Sequence, residues 1–256
     1  MKENSNSVWL LIDGNNWFAK DYFASAGSSV SNFTRRLDDC VKWMKPARVA
    51  IAWDSPSFRT ALREGYKAGR SVKPEGFGVM LARLRTALEA SGFEQLQRDG
   101  FEADDILASM AATAVDEGCN AVVASTDHDL HQVLRSGRVT QAIAFTRPRM
   151  GEIKADWVTA ATVHKCYGVH PWQWVDYRVM TGDTSDNVAG CPGVGPQTAA
   201  TILQACGTLD GFFDEPFRPL ITPRLRAAVL AFRPAVEALR QVHRLRDELI
   251  FEPSMS

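Results

Sequence analysis

The chain has 256 residues, 45% of them apolar, and a formal net charge of −1. It can bury a large core, and its overall charge does not announce a nucleic-acid binder, although a small sum can hide opposed local fields. Five scattered cysteines (Cys40, Cys119, Cys166, Cys191, Cys206) with no C-x-x-C pair argue against a disulfide frame or a zinc site, and the polar start MKENSNS carries no secretory or membrane-spanning run.

Val8 to Ile12 (VWLLI) is a predicted buried strand ending at Asp13-Gly14. Val30 to Met44 has helical spacing, and Arg48 to Trp53 is a second strand ending at Asp54. Ser57 to Lys73 is polar and basic with helical potential; Pro74 to Ser91 is an amphipathic helix, and Phe93 to Leu96 a short strand. A helix over 103–117 is entered by the acidic run Glu102-Ala103-Asp104-Asp105. Asn120 to Ala124 is a third buried strand, ending at Ser125-Thr126-Asp127, and Val139 to Phe145 another. From Asp156 to about Leu245 helical patterns dominate. Apolar strands alternating with helices predict a mostly parallel sheet covered on both faces, with a boundary near 148–153 before a helical part.

The acidic residues carry the chemistry. Asp13, Asp54 and Asp127 end three predicted strands, and ligands of open α/β sheets bind outside the carboxyl ends of strands, so the three are expected to converge. Glu102 and Asp105 share a helix face, Asp104 lies beside them, Asp129 follows Asp127 by two, and Asp183 and Asp186 are three apart. Any one aspartate alone fits an N-cap or turn. Together they repel by roughly 4 kcal/mol per close pair at an effective dielectric near 20, so cations are expected among them. Oxygen-only ligands favour Mg²⁺ or Mn²⁺, and two ions about 4 Å apart suit phosphodiester hydrolysis.

Two further stretches suggest a polyanion. From Arg59 to Lys73 the basic residues Arg59, Arg63, Lys67, Arg70 and Lys73 face one acid, Glu64, and the first four fall on one stripe if the segment is helical. The turn Gly193-Val194-Gly195 enters an Ala-rich helix, where exposed amides bind phosphate. A C-terminal basic group comprises Arg218, Arg224, Arg226, Arg233, Arg240, Arg244 and Arg246. Trp172 and Trp174 are expected in the core or in helix packing, and His128, His131 and His164 lack metal-ligand spacing.

In this order LLIDGNN (10–16), AWD (52–54), FR and YKAGR (58–59, 66–70), FEADD (101–105), STDHDL (125–130), TGDTSDN (181–187) and GCPGVGPQTA (190–199) resemble the 5′ nuclease, or flap endonuclease, superfamily, in its bacterial and phage branch. The resemblance covers nearly the whole chain. It implies a PIN-like (Rossmann-like) α/β core over 1–150 with a helical arch at about 57–91. Residues 151–256 would form a helical DNA-binding part with a helix-three-turn-helix element, its hairpin motif at about 183–206. It further implies Mg²⁺-dependent 5′→3′ exonuclease and flap cleavage of DNA with 5′ ends, flaps or nicks, by a monomer in a bacterial or phage-infected cytoplasm.

By position, Asp13, Asp54, Glu102 and Asp104 would surround one ion and Asp127, Asp129 and Asp183 a second, with Asp105 and Asp186 close by. Lys67 would be the catalytic lysine of the arch. Arg59, Arg70, Tyr66, Gly193, Val194, Gly195 and Gln197 would contact DNA, and the hairpin carbonyls would hold K⁺. The pattern departs at His128 and Gln197, where relatives often carry lysine. No polymerase domain follows Ser256, which suggests a free-standing nuclease. A PIN-type ribonuclease would lack the arch and hairpin motifs, and a non-catalytic junction binder would not need the intact carboxylate set.

Overall fold

The computed structural model describes residues 7–146, 152–215 and 221–251. In chain order the elements are β1 (Val8–Asp13), α1 (Gly14–Ala24), α2 (Ser29–Met44), β2 (Arg48–Trp53), α3 (Arg59–Leu62), α4 (Phe77–Ala90), β3 (Glu94–Gln97), α5 (Ala103–Asp116), β4 (Asn120–Ala124), β5 (Val139–Thr146), β6 (Lys154–Val158), α6 (Ala160–Tyr167), α7 (Trp174–Thr181), β7 (Gly182–Asp183), β8 (Val188–Ala189), α8 (Pro196–Cys206), α9 (Leu209–Asp214) and α10 (Pro223–His243). They form two compact units. One comprises Met1–Ser57, Val72–Thr159 and Leu245–Ser256, the other Phe58–Ser71 and Ala160–Arg244.

The first unit is built on a six-stranded sheet of order β3-β2-β1-β4-β5-β6. β1 is central, with Leu10 in register with Val49 on one side and Val122 on the other. Continuous apolar runs suit strands covered on both faces, and Leu10, Leu11, Ile12, Ile51 and Val123 are fully buried. On one face α2 buries Phe33, Leu37 and Cys40 at helical spacing. Trp17 and Phe33 meet edge to face at 5.7 Å, as do Phe18 and Phe77 at 5.0 Å. α5 is buried along most of its circumference by Ala, Ile, Leu and Met, and it packs on β1, β2 and β4. Gly14 has a local reason: a Cβ there would lie 2.5 Å from the Trp53 ring.

The sequence pattern misses β6. Lys154–Val158 pairs antiparallel with β5, whereas helix was expected from Asp156 onward. Its burial pattern, exposed at 154, 156 and 157, is that of an edge strand, where apolar alternation is weak.

The second unit is helical apart from the small β7–β8 hairpin. Gly182, at φ +75°, permits that hairpin, since a Cβ would meet the backbone nitrogen of Gly190 at 2.5 Å. Buried Asp176 joins three helices: it accepts from Leu209 N at 2.9 Å and from Arg240 Nε at 2.7 Å. Arg240, counted in the C-terminal basic group, thus has a structural role, and it also pairs with Asp210. Arg218 of that group lies outside the described residues, as does most of the stretch 148–153. Trp174 is 1% exposed as expected, but Trp172 is 63% exposed, because the short turn before α7 turns it outward.

Among the described residues no helix is long and apolar enough to cross a membrane.

Candidate active site

The strand order of the first unit reverses beside β1, between β1 and β4, which makes a crevice at the carboxyl ends of those strands. Asp13 stands there. It is buried, accepting from Asn16 N at 2.9 Å and from the Ser125 hydroxyl at 2.8 Å. Burial raises its carboxyl to about 7, with the charges of Asp54 and Asp127 adding to the rise against the lowering effect of its hydrogen bonds. Three strand ends thus bring Asp13, Asp54 and Asp127 into one electrostatic neighbourhood.

Residues outside the candidate set hold these ends in place. The Asn15 side chain accepts from Asp54 N at 2.9 Å. The Asn16 amide donates to Thr126 Oγ1 at 2.8 Å and accepts from Thr126 N at 3.2 Å. Buried Gln141 donates to the carbonyls of Ser125 and Asp127 at 2.9 and 2.7 Å. Asn15 and Asn16 lie inside LLIDGNN and were open to notice; nothing in the local pattern marks Gln141, which lies on β5.

The start of α5 separates the neighbouring acids. Asp54 Oδ1 accepts from Ala103 N at 2.9 Å, so β2 is joined to this helix end. Glu102 and Asp105 form a reciprocal capping box, which satisfies amide donors that every helix start leaves open. Asp105 is fully buried, and its two oxygens accept from the backbone N–H groups of Glu102 and Arg246. Of the two places expected for Asp105, close ligand or outer-shell partner, these backbone bonds favour the second. Asp104, beside it, is half-buried. Asp127 Oδ1 accepts from Asp129 N at 2.8 Å, which turns the STDHDL loop back on itself.

The second unit holds the other candidate acids. Asp183 Oδ1 accepts from Ser185 N at 2.8 Å and Ser185 Oγ at 2.6 Å, while Oδ2 pairs with Arg178. Burial alone would raise the Asp183 carboxyl; the Ser185 bonds and the Arg178 charge outweigh it and hold it below the usual range. Asp186 pairs with Arg70 at 2.6 Å, with Lys67 Nζ at 4.0 Å. His243 is pushed down to about 4 by burial and by Arg178, against the pull of Asp183 and Asp186.

The basic stripe is not a helix face. Only Arg59–Leu62 is helical; turns follow from Gly65, at φ +76°, and Lys67 itself sits at φ +58°. Two glycines within five residues remove the expected helix, since glycine costs about 1 kcal/mol in a helix interior. Lys67 N donates to Asp186 O at 3.1 Å, and its Nζ lies 5.0 Å over the Tyr66 ring, which is itself buried. Arg59 is corrected as well. It is 1% exposed and donates to the carbonyls of Val242 and Arg244 at 2.7 and 2.9 Å, so it finishes the end of α10 rather than facing solvent. At the hairpin, Gly193 (φ +78°), Gly195 and Gln197 are exposed and Val194 is buried beneath them.

The first unit thus pairs a mostly parallel sheet with carboxylates at its strand ends, and the second carries an exposed glycine hairpin, an arrangement in keeping with a nuclease. Residues 8–168 match the model of the 5′-3′ exonuclease N-terminal resolvase-like domain, and 169–255 that of the 5′-3′ exonuclease C-terminal SAM fold. The chain belongs to the 5′-3′ exonuclease family. It is 33% identical over 254 residues to the thermostable DNA polymerase I of Thermus thermophilus, covering 95% of this chain and 29% of that protein. Among solved structures, phage T5 5′-exonuclease with bound divalent zinc superposes with a TM-score of 0.77 at 17% identity, covering 93% of this chain and 90% of that one. The phage T5 D15 flap endonuclease with DNA and metal ions gives 0.70 at 18% identity, covering 94% and 89%.

Proposed function

We propose that the chain hydrolyses DNA phosphodiester bonds from free 5′ ends, as a 5′→3′ exonuclease and 5′-flap endonuclease using two Mg²⁺ or Mn²⁺ ions. The observation that carries this reading is the buried Asp13 at the carboxyl end of central β1, with Asp54 and Asp127 at neighbouring strand ends close enough to oppose its ionisation. Such a crowd is relieved by a hard divalent cation, and its all-oxygen donors suit that ion. Asp13, Asp54, Glu102, Asp104, Asp127 and Asp129 of the first unit, and Asp183 and Asp186 of the second, are the proposed ligands. Held by these carboxylates, such ions would supply an activated water and charge neutralisation at the phosphate.

The chain's own residues do the positioning. Asn15, Asn16, Ser125 and Gln141 fix the strand-end acids. Lys67, in a left-handed backbone conformation that costs roughly 1–2 kcal/mol, is the proposed catalytic lysine, held in place by its N–H bond to Asp186. Arg70 and Tyr66 would guide the 5′ strand, and Gly193, Val194, Gly195 and Gln197 the duplex, with K⁺ on the hairpin carbonyls. The proposed working unit is a single chain in the cytoplasm.

The test is incubation with Mg²⁺ and 5′-flap, nicked, blunt and single-stranded DNA labelled at either end, with a matched RNA arm. Products released from the 5′ end and cuts at the flap junction are expected. Cleavage of RNA alone, or no cleavage with Mg²⁺ or Mn²⁺, overturns the proposal.

A further inference from the structure

We propose that Arg224, at the start of α10, is a duplex-binding residue that supplies the positive charge the hairpin lacks at Gln197. This inference rests on the DNA-directed reading above and names a contact residue for it, within the second unit alone.

The hairpin and the start of α10 are neighbours: a Cβ placed on Gly193 would lie 3.4 Å from Leu225 Cδ2. Between them runs an open groove of about 470 Å³ lined by Pro192, Gly193, Arg224, Leu225 and Ala228. Among the described residues its lining has one cationic side chain and no acidic one. Arg224 is exposed, and among the described residues it pairs with no carboxylate. Arg240, by contrast, is spent on Asp176 and Asp210, and Arg233 lies 5.0 Å over the Phe213 ring. The groove also starts where Gly193 exposes backbone, the kind of surface a phosphate can approach closely.

On the hairpin side, Gln197 is exposed in the first turn of α8 and carries no charge. A neutral amide there leaves the glycine turn with amide dipoles alone. A guanidinium lining the groove beside Gly193 from α10 supplies a charge next to that turn, and its planar fork suits a phosphate's oxygens. Among the described residues the groove's lining is apolar or backbone apart from Arg224, so the ligand it fits is a backbone phosphate of duplex DNA, read without regard to sequence.

The experiment measures binding of a fluorescently labelled 5′-flap duplex in Ca²⁺ across a series of KCl concentrations. Wild type, Arg224→Gln, Gln197→Lys and the double variant are compared, with a single-stranded oligonucleotide as a second probe. One phosphate contact contributes about 0.9 to the slope of log affinity against log salt. Arg224→Gln is expected to lower that slope by about one for the duplex and leave it unchanged for the single strand. Adding Gln197→Lys to Arg224→Gln is expected to return the slope to the wild-type value. A duplex slope in Arg224→Gln equal to wild type overturns the assignment of Arg224. Absence of salt-dependent duplex binding by wild type instead overturns the DNA-directed reading itself. Arg224 is exposed and, among the described residues, pairs with no carboxylate, so unchanged circular dichroism of the variant serves as the folding control.

Discussion

Arg178 of α7 and Asp183 of β7, five residues apart, form an ion pair through one carboxylate oxygen while Ser185 holds the other. Asp183 is therefore oriented before any ligand arrives, and its ionised form is favoured. Asp183→Ala is expected to abolish cleavage and leave flap binding measurable, because the hairpin and basic segment are untouched. It also removes the half-buried ion pair with Arg178, so the thermal midpoint should fall. Single-turnover cleavage, anisotropy and circular dichroism check the three parts. Near wild-type turnover would remove Asp183 from the metal ligands.

Divalent ions are expected to raise the unfolding temperature. The Asp13, Asp54 and Asp127 charges oppose one another in the native arrangement, and a ligand that binds only that arrangement stabilises it. Thermal scans in EDTA and in millimolar Mg²⁺ or Mn²⁺ should separate by several degrees. Asp13→Asn, which removes one of the competing charges, should narrow the gap and raise the EDTA midpoint. An identical midpoint with and without metal in wild type would count against a formed site.

Lys67→Ala is expected to slow cleavage on the order of 10²-fold or more under saturating enzyme while changing affinity in Ca²⁺ only modestly. The motive is its constrained backbone and its placement beside Asp186. Because Ala also suffers at φ +58°, Lys67→Gly serves as the backbone control: it relieves strain and still lacks the ammonium. Loss of affinity with an intact rate would make Lys67 a positioning residue.

Burial pushes the Cys40 thiol up to about 12, from 9.0, with Arg36 partly opposing and Asp39 adding to the rise. A raised folded-state value means that the contribution to stability is complete below about pH 9 and is lost as pH climbs toward 12. Urea midpoints between pH 8 and 11 should therefore fall more steeply in wild type than in Cys40→Ala. At pH 8 a maleimide should modify exposed Cys166 quickly and Cys40 only after unfolding. Equal slopes in both proteins would show that Cys40 is not the titrating group.

The apolar runs VWLLI, RVAIAW and NAVVA announce their strands because a strand buried on both faces needs uninterrupted hydrophobic residues, and an Asp at or shortly after the end of such a run lies at the carboxyl end of its strand. By that logic Asp13, Asp54 and Asp127 were legible without coordinates, as was α2 from its spacing at Phe33, Leu37 and Cys40. Local pattern could not decide the destination of side chains whose partners are distant in sequence. Arg59 looks like its neighbours Arg63 and Lys67, yet it is buried against carbonyls more than 180 residues away. Asp105 looks like Asp104, yet its oxygens are taken by the N–H groups of Glu102 and Arg246. Charge and spacing determine what a residue can do. Which backbone donors and acceptors remain unsatisfied after folding decides whether it is spent on structure or left for chemistry, and only the tertiary structure holds that account.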